Sequence, residues 1–162
     1  GRQQQIKLLY PAATFTEIRG NVDTRLKKIA SGAADATILA AAGMGRLGIK
    51  DWPGVTFRPL ALSESVPAVG QGAIAIQCRT EEVCRFAAAL DSATARTVTL
   101  ERALQAAIGG GCQMAFAAHV VGETLYFYHE KTGPRTLVLR ATDFAEPTAA
   151  AARLLAELNF HV

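Results

Sequence analysis

What this chain has little of narrows its possible functions first. Its 162 residues hold only three cysteines, at 78, 84 and 112. No pair is spaced Cys-x-x-Cys, and no cysteine has a histidine at metal-ligand spacing. This argues against a disulfide scaffold or a metal module, and a reducing cytoplasm is the expected compartment. Long apolar runs are also missing. Stretches such as "ATILAAAGM" are too short and too alanine-rich to cross a membrane. The first residues, "GRQQQIK", are polar, so no signal peptide is expected, and the lack of an initiator methionine points to a fragment or a processed piece. Aromatics are sparse at 7% and few lie near arginines, which works against nucleic-acid binding by base stacking. The three histidines, 119, 129 and 161, share no motif. His119 and His129 fall on predicted strands and read as structural.

What is present is an apolar half, enough for a packed core, and an uneven charge. The net charge is +3. Residues 1–48 carry seven basic and three acidic groups, so the positive excess belongs to the first third. Such a surplus favours an acidic partner there. Lys27 and Lys28 read as a solvated helix face.

The early pattern alternates helix and strand. "RQQQIKLLYP" predicts a short helix stopped by Pro11. "TFTEIR" is β-prone. "GNVDTRLKKIASG" predicts a helix with Asn21 as N-cap and Gly32 as its stop, and Val22, Leu26 and Ile29 line one face. "DATILA" reads as a buried strand and "AAGMGRLG" as a small-residue helix. This rhythm argues for an α/β unit with a parallel sheet. "KDWPGV" then reads as a turn where Trp52 packs, and "TFRPLAL" as an edge strand because of Pro59.

A different pattern follows. "VPAVGQG" is a linker leading to the alternating strand "AIAIQCR". Two helices come next, "TEEVCRFAAAL" with Thr80 as N-cap and "SATARTVTLERALQAAI" started by Asp91 or Ser92. Cys78 and Cys84 look like core residues. "QMAFAAHVVGETLYFYHEKTGPRTLVLRATDF" predicts three antiparallel strands with Gly122 in the first turn and Gly133-Pro134 in the second. "EPTAAAARLLAELNF" is an amphipathic helix to cover them. The expected fold is thus α/β plus α+β: a partial α/β domain over residues 1–66, a crossover linker, strand and helix over 67–90, and a small α+β domain over 91–162.

Two groups of residues could carry chemistry. Arg19 ends a predicted strand, Arg25 lies in the first turn of the next helix, and Arg46 and Arg2 could reach the same crevice. Ligands of open α/β sheets bind at the carboxyl ends of the strands, where helix N-termini attract anions. Guanidinium forks there would make a polyanion site; ordinary surface arginines are the plainer reading. Cys112 follows three glycines in "IGGGCQ", as a thiol presented on a loop or as a small buried residue. "GQG" at 70–72 is too short for a nucleotide fingerprint and reads as a hinge.

Three of these stretches occur together and in order: "RGNVDTRLKKIASGAADATILAAAGMGRLG", "VPAVGQGAIAIQCR" and "GGCQMAFAAH". The chain thereby closely resembles the porphobilinogen deaminase (hydroxymethylbilane synthase) family, over nearly its whole length. The resemblance implies two periplasmic-binding-protein-like α/β domains facing a cleft, with a third α+β domain beside them. It implies a dipyrromethane cofactor joined by a thioether to Cys112, with Arg2, Arg19, Arg25 and Arg46 binding carboxylates of cofactor and substrate. It also implies the joining of four porphobilinogen molecules into hydroxymethylbilane with loss of ammonia, in a cytoplasmic and typically monomeric enzyme.

The departures shape what to expect of this chain. The family's catalytic aspartate lies on its first domain, and no Asp here matches it, so the chain alone is expected to be inactive. Ala115, Ala117 and His119 stand where the family usually has Pro, Gly and Tyr. "AIAIQCR" would lack its sheet, so Ala73–Arg79 is expected to pair within the chain or with a second copy. The alternative function is a non-enzymatic module that binds a small anion, with Cys112 inert. No membrane, nucleic-acid or metal partner is expected.

Overall fold

The computed structural model describes residues 1–109 and 115–160. Two compact units divide the chain: Arg2–Ser65, and Val66 onward together with Gly1.

The Arg2–Ser65 unit is built on three helices. α1 (Arg2–Leu9) buries Gln5 and Ile6 and ends just before Pro11, whose ring cannot continue a helix. α2 (Val22–Ala30) starts at Asn21, whose side chain accepts the Thr24 N–H at 2.9 Å, and buries Leu26. α3 (Ala41–Arg46) is a short helix of small residues. Trp52 and Val55 close the expected turn with a single antiparallel bridge.

The expected parallel sheet is not seen among the described residues of this unit. "TFTEIR", "DATILA" and "TFRPLAL" run without ladder partners. Strand propensity is realised only when a neighbouring strand takes up the backbone hydrogen bonds, and these three segments do not supply them to each other.

The second unit is a three-stranded antiparallel sheet with helices. A 3₁₀ turn (Thr80–Glu82) leads into α4 (Val83–Ala87). Thr80 opens that turn and does not cap it; the preceding residue, Arg79, makes no side-chain cap either. α5 (Ser92–Ile108) is capped by Asp91, which accepts the Thr94 N–H at 2.6 Å. That bond holds the Asp91 carboxyl below the usual aspartate range. β1 (Phe116–Val121), β2 (Thr124–His129) and β3 (Gly133–Val138) pair in chain order, with Val121 opposite Thr124 and His129 opposite both Phe116 and Gly133. Gly122 lies in the first turn as expected. Gly133 and Pro134 open β3, and Glu130–Thr132 form the second turn. Pro134 fits an edge strand because it has no N–H to leave unpaired. The stretch "ATDFA", expected to be extended, forms α6 (Ala141–Ala145) because Asp143 accepts the Arg140 N–H at 2.7 Å, as a capping box does. α7 (Pro147–Glu157) follows, with proline in its first turn.

Period-2 alternation places Ala118, Val120, Leu125 and Phe127 on one sheet face, where they meet Leu100, Leu104 and Ile108 of α5 and Ala151, Leu154 and Leu155 of α7. Val66 covers the other face against Ala115, Ala117 and Tyr128. Two expectations fail here. Ala73–Arg79 is not a strand, and its Ile74 and Ile76 are 71% and 46% exposed. Cys78 is only half-buried and Cys84 is exposed, so neither is a core residue. Cys78 shares the cause of the first failure, since a strand without a sheet has no face to bury; Cys84 lies on the exposed helix α4, none of whose residues is buried.

Candidate functional site

The first site forms where the chain turns into α2. Gly20 has φ +122°, and a Cβ there would lie 2.6 Å from the Thr24 methyl carbon, so the turn requires glycine. Thr24 is itself fixed, because its hydroxyl donates to Asn21 Oδ1 at 2.7 Å. The turn exposes two carbonyls, and two cations take them. Arg25 Nε donates to the Gly20 carbonyl at 2.8 Å, and Lys28 Nζ donates to the Arg19 carbonyl at 3.0 Å. Arg19 pairs with Glu17, its Nη2 at 2.8 Å and its Nε at 3.0 Å. That pair is highly exposed, so it contributes little to stability and a competing carboxylate could displace it. Helix α2 adds the N–H groups and positive dipole end of its first turn, opposed by the Asp23 carboxylate.

The structure therefore gathers Arg19 and Arg25 at one turn and adds Lys28. By its sequence position Lys28 reads as part of a solvated helix face. The signal for it was its place two turns after Gly20, over the N-terminal carbonyls. Arg2 lies at the start of α1 and Arg46 at the end of α3. Cys112 lies outside the described residues.

A second assembly surrounds Glu101, which is 2% exposed on α5. Its Oε2 accepts the Gly70 N–H at 2.7 Å. Its Oε1 accepts the Val120 N–H at 2.9 Å and lies 3.2 Å from His119 Nδ1. One carboxylate thus joins α5, the outer edge of β1 and the "VPAVGQG" segment. It lines a cavity of about 270 Å³ together with Gly70–Ala73, Thr94, Thr97 and His119. Sequence reading missed Glu101. Its signal was an acidic residue within the apolar helix pattern "TLERALQAAI", where a buried carboxylate must find donors. Cys112 falls in the connection between α5 and β1, the two elements that Glu101 ties together.

Among the described residues, no group of His, Cys, Asp and Glu is placed to hold a metal ion, and no helix is long and apolar enough to cross a membrane. The α2 turn thus carries the cations of Arg19, Arg25 and Lys28 and the backbone donors of its first turn, beside the carboxylates of Glu17 and Asp23.

Residues 1–84 match the family model described as porphobilinogen deaminase, dipyrromethane cofactor binding domain. The chain belongs to the porphobilinogen deaminase family. A porphobilinogen deaminase of Roseiflexus sp. (strain RS-1) is 46% identical over 129 residues, covering 76% of this chain and 42% of that protein. The porphobilinogen deaminase of Thiobacillus denitrificans is 39% identical over 165 aligned residues, covering 96% of this chain and 53% of the relative. That of Sphingopyxis alaskensis is 47% identical over 121 residues, covering 73% and 37% respectively. The chain thus spans about half or less of the length of these relatives. The matched residues include the whole α2 turn with Arg19, Arg25 and Lys28.

Proposed function

We propose that this chain is the part of a hydroxymethylbilane synthase that holds the dipyrromethane cofactor and the growing pyrrole chain. The whole enzyme would join four porphobilinogen molecules head to tail, releasing ammonia and forming hydroxymethylbilane. The observation that carries this reading is the basic turn at Arg19–Gly20, inside residues matching a cofactor-binding domain. Acetate and propionate side chains on each pyrrole make the substrate a polyanion, and the exposed Arg19, with Arg25 and Lys28, fits carboxylates.

In this reading Cys112 holds the cofactor as a thioether, and Arg2, Arg19, Arg25 and Arg46 bind carboxylates. A bound dipyrromethane supplies the pyrrole end to which further units are joined. The chain's own residues hold and orient; the catalytic carboxylate lies in the further length of the relatives, so this chain is inactive by itself. The strand-prone segments at 14–19, 35–40 and 56–62 would pair with strands from that further length, completing a periplasmic-binding-protein-like α/β domain. The enzyme would work in the cytoplasm.

The test is a chimera in which residues 1–162 replace the corresponding part of the Roseiflexus enzyme. Conversion of porphobilinogen to a linear tetrapyrrole, read as porphyrin absorbance after cyclisation and oxidation, is the expected result. Porphobilinogen binding without turnover would instead favour a module that only holds small anions.

A further inference from the structure

His129 is the last residue of β2 and is fully buried. Its Nδ1 accepts the Lys131 N–H at 3.1 Å, which places the ring proton on Nε2. Nε2 is buried and has no hydrogen-bond partner among the described residues. The imidazole instead meets the Phe160 ring edge-on, with centroids 4.5 Å apart. Phe160 also meets Phe127 at 6.5 Å, and Phe127 meets Phe116 at 5.5 Å. Phe116 is the cross-strand partner of His129, and beyond it the Glu130 N–H donates to the Ala115 carbonyl at 3.1 Å. One imidazole therefore sits where the C-terminal segment, the end of β2 and the start of β1 meet. Ala115 is three residues after Cys112 in the chain.

A second proton would have to enter at Nδ1, where the Lys131 N–H already points. It would break that hydrogen bond and place a charge among phenylalanine rings. Glu130 favours the charge and Lys131 opposes it. His129's cross-strand and ring partners, Phe116, Gly133 and Phe160, are not titratable. Burial, with Lys131 acting in the same direction, outweighs Glu130 and holds the imidazole below the usual histidine range.

We propose that His129 is an acid-operated latch: on gaining a proton it releases Phe160 and the Ala115–Phe116 end of β1, the strand that leads away from Cys112. Because the native imidazole is neutral and the released one is an ordinary histidine, opening takes up a proton as pH falls below about 6.5. The latch does not depend on the chain's proposed activity.

Hydrogen exchange of the 162-residue chain between pH 7.5 and 5, corrected for intrinsic exchange, tests it. Protection at the Glu130 and Phe160 amides, which donate to the Ala115 and Leu155 carbonyls, should fall about tenfold per pH unit below pH 6.5, while mid-α5 amides stay protected. His129→Phe keeps a ring against Phe160 and should abolish the pH dependence; His129→Gln, also neutral, serves if the Phe variant does not fold. His119→Gln should leave the dependence intact. Three results would each overturn the latch: a flat wild-type profile, the same acid loss in a folded neutral His129 variant, or its disappearance in His119→Gln.

Discussion

Replacing Glu101 with alanine probes the tie between α5, β1 and the Gly70 segment. The substitution removes the acceptor of two backbone N–H groups, those of Gly70 and Val120. Val120 is buried at 5% exposure, so its orphaned N–H costs about 1–3 kcal/mol. Gly70 is half-buried and recovers part of its loss from solvent, leaving about 1 kcal/mol. The total is roughly 2–4 kcal/mol, or about 30- to 1,000-fold in a local opening equilibrium. Glu101→Gln keeps one oxygen but turns an NH₂ toward one of the donors, so it should lose about 1–2 kcal/mol. Native-state hydrogen exchange at the Gly70 and Val120 amides reads these losses directly. If Glu101→Ala changed both amides by less than threefold, the carboxylate would not hold these elements together.

The remaining predictions concern other parts of the fold. Gly20→Ala should destabilise the Arg2–Ser65 unit by about 1–3 kcal/mol, since its φ is +122° and its Cβ would overlap Thr24; an unchanged Trp52 fluorescence melt would contradict this. Asp143 is 2% exposed, and burial alone would raise its pKa. The Arg140 N–H at 2.7 Å and the Arg153 guanidinium at 2.6 Å outweigh burial and hold it below the usual aspartate range. The stability it contributes is therefore complete above about pH 4 and lost as pH falls through the lowered value. Asp143→Asn should flatten the acid limb of the melting curve, and an unchanged limb would contradict the assignment. Ile74→Lys, at a 71% exposed position, should reduce any self-association through Ala73–Arg79; equal light-scattering masses for an associating wild type and the variant would show that the contact lies elsewhere.

Local signals carried well from sequence to structure where a segment could satisfy itself. Asn21 capped its helix, Asp91 capped α5, and "AFAAHVV" and "TLYFYH" paired as antiparallel strands about the turn at Gly122, as expected. Prediction failed where partners were needed from elsewhere. The three strand-prone segments of the first unit and Ala73–Arg79 have the right residues but no adjacent strand, so their propensity goes unused. The candidate site was half legible. Arg19 and Arg25 stood out by type and place, whereas Lys28 and Glu101 became visible only through the backbone groups they reach, which residue type alone does not reveal.

The central proposal is that Cys112 is the anchor of the pyrrole chain. Peptide mass mapping of the Roseiflexus chimera, purified from cells that make porphobilinogen, tests it most directly. The account predicts a dipyrromethane adduct on the Cys112 peptide, none on Cys78 or Cys84, and no adduct or activity after Cys112→Ser. An active Cys112→Ser chimera that still carried the cofactor, or an adduct mapped to Cys78 or Cys84, would contradict it.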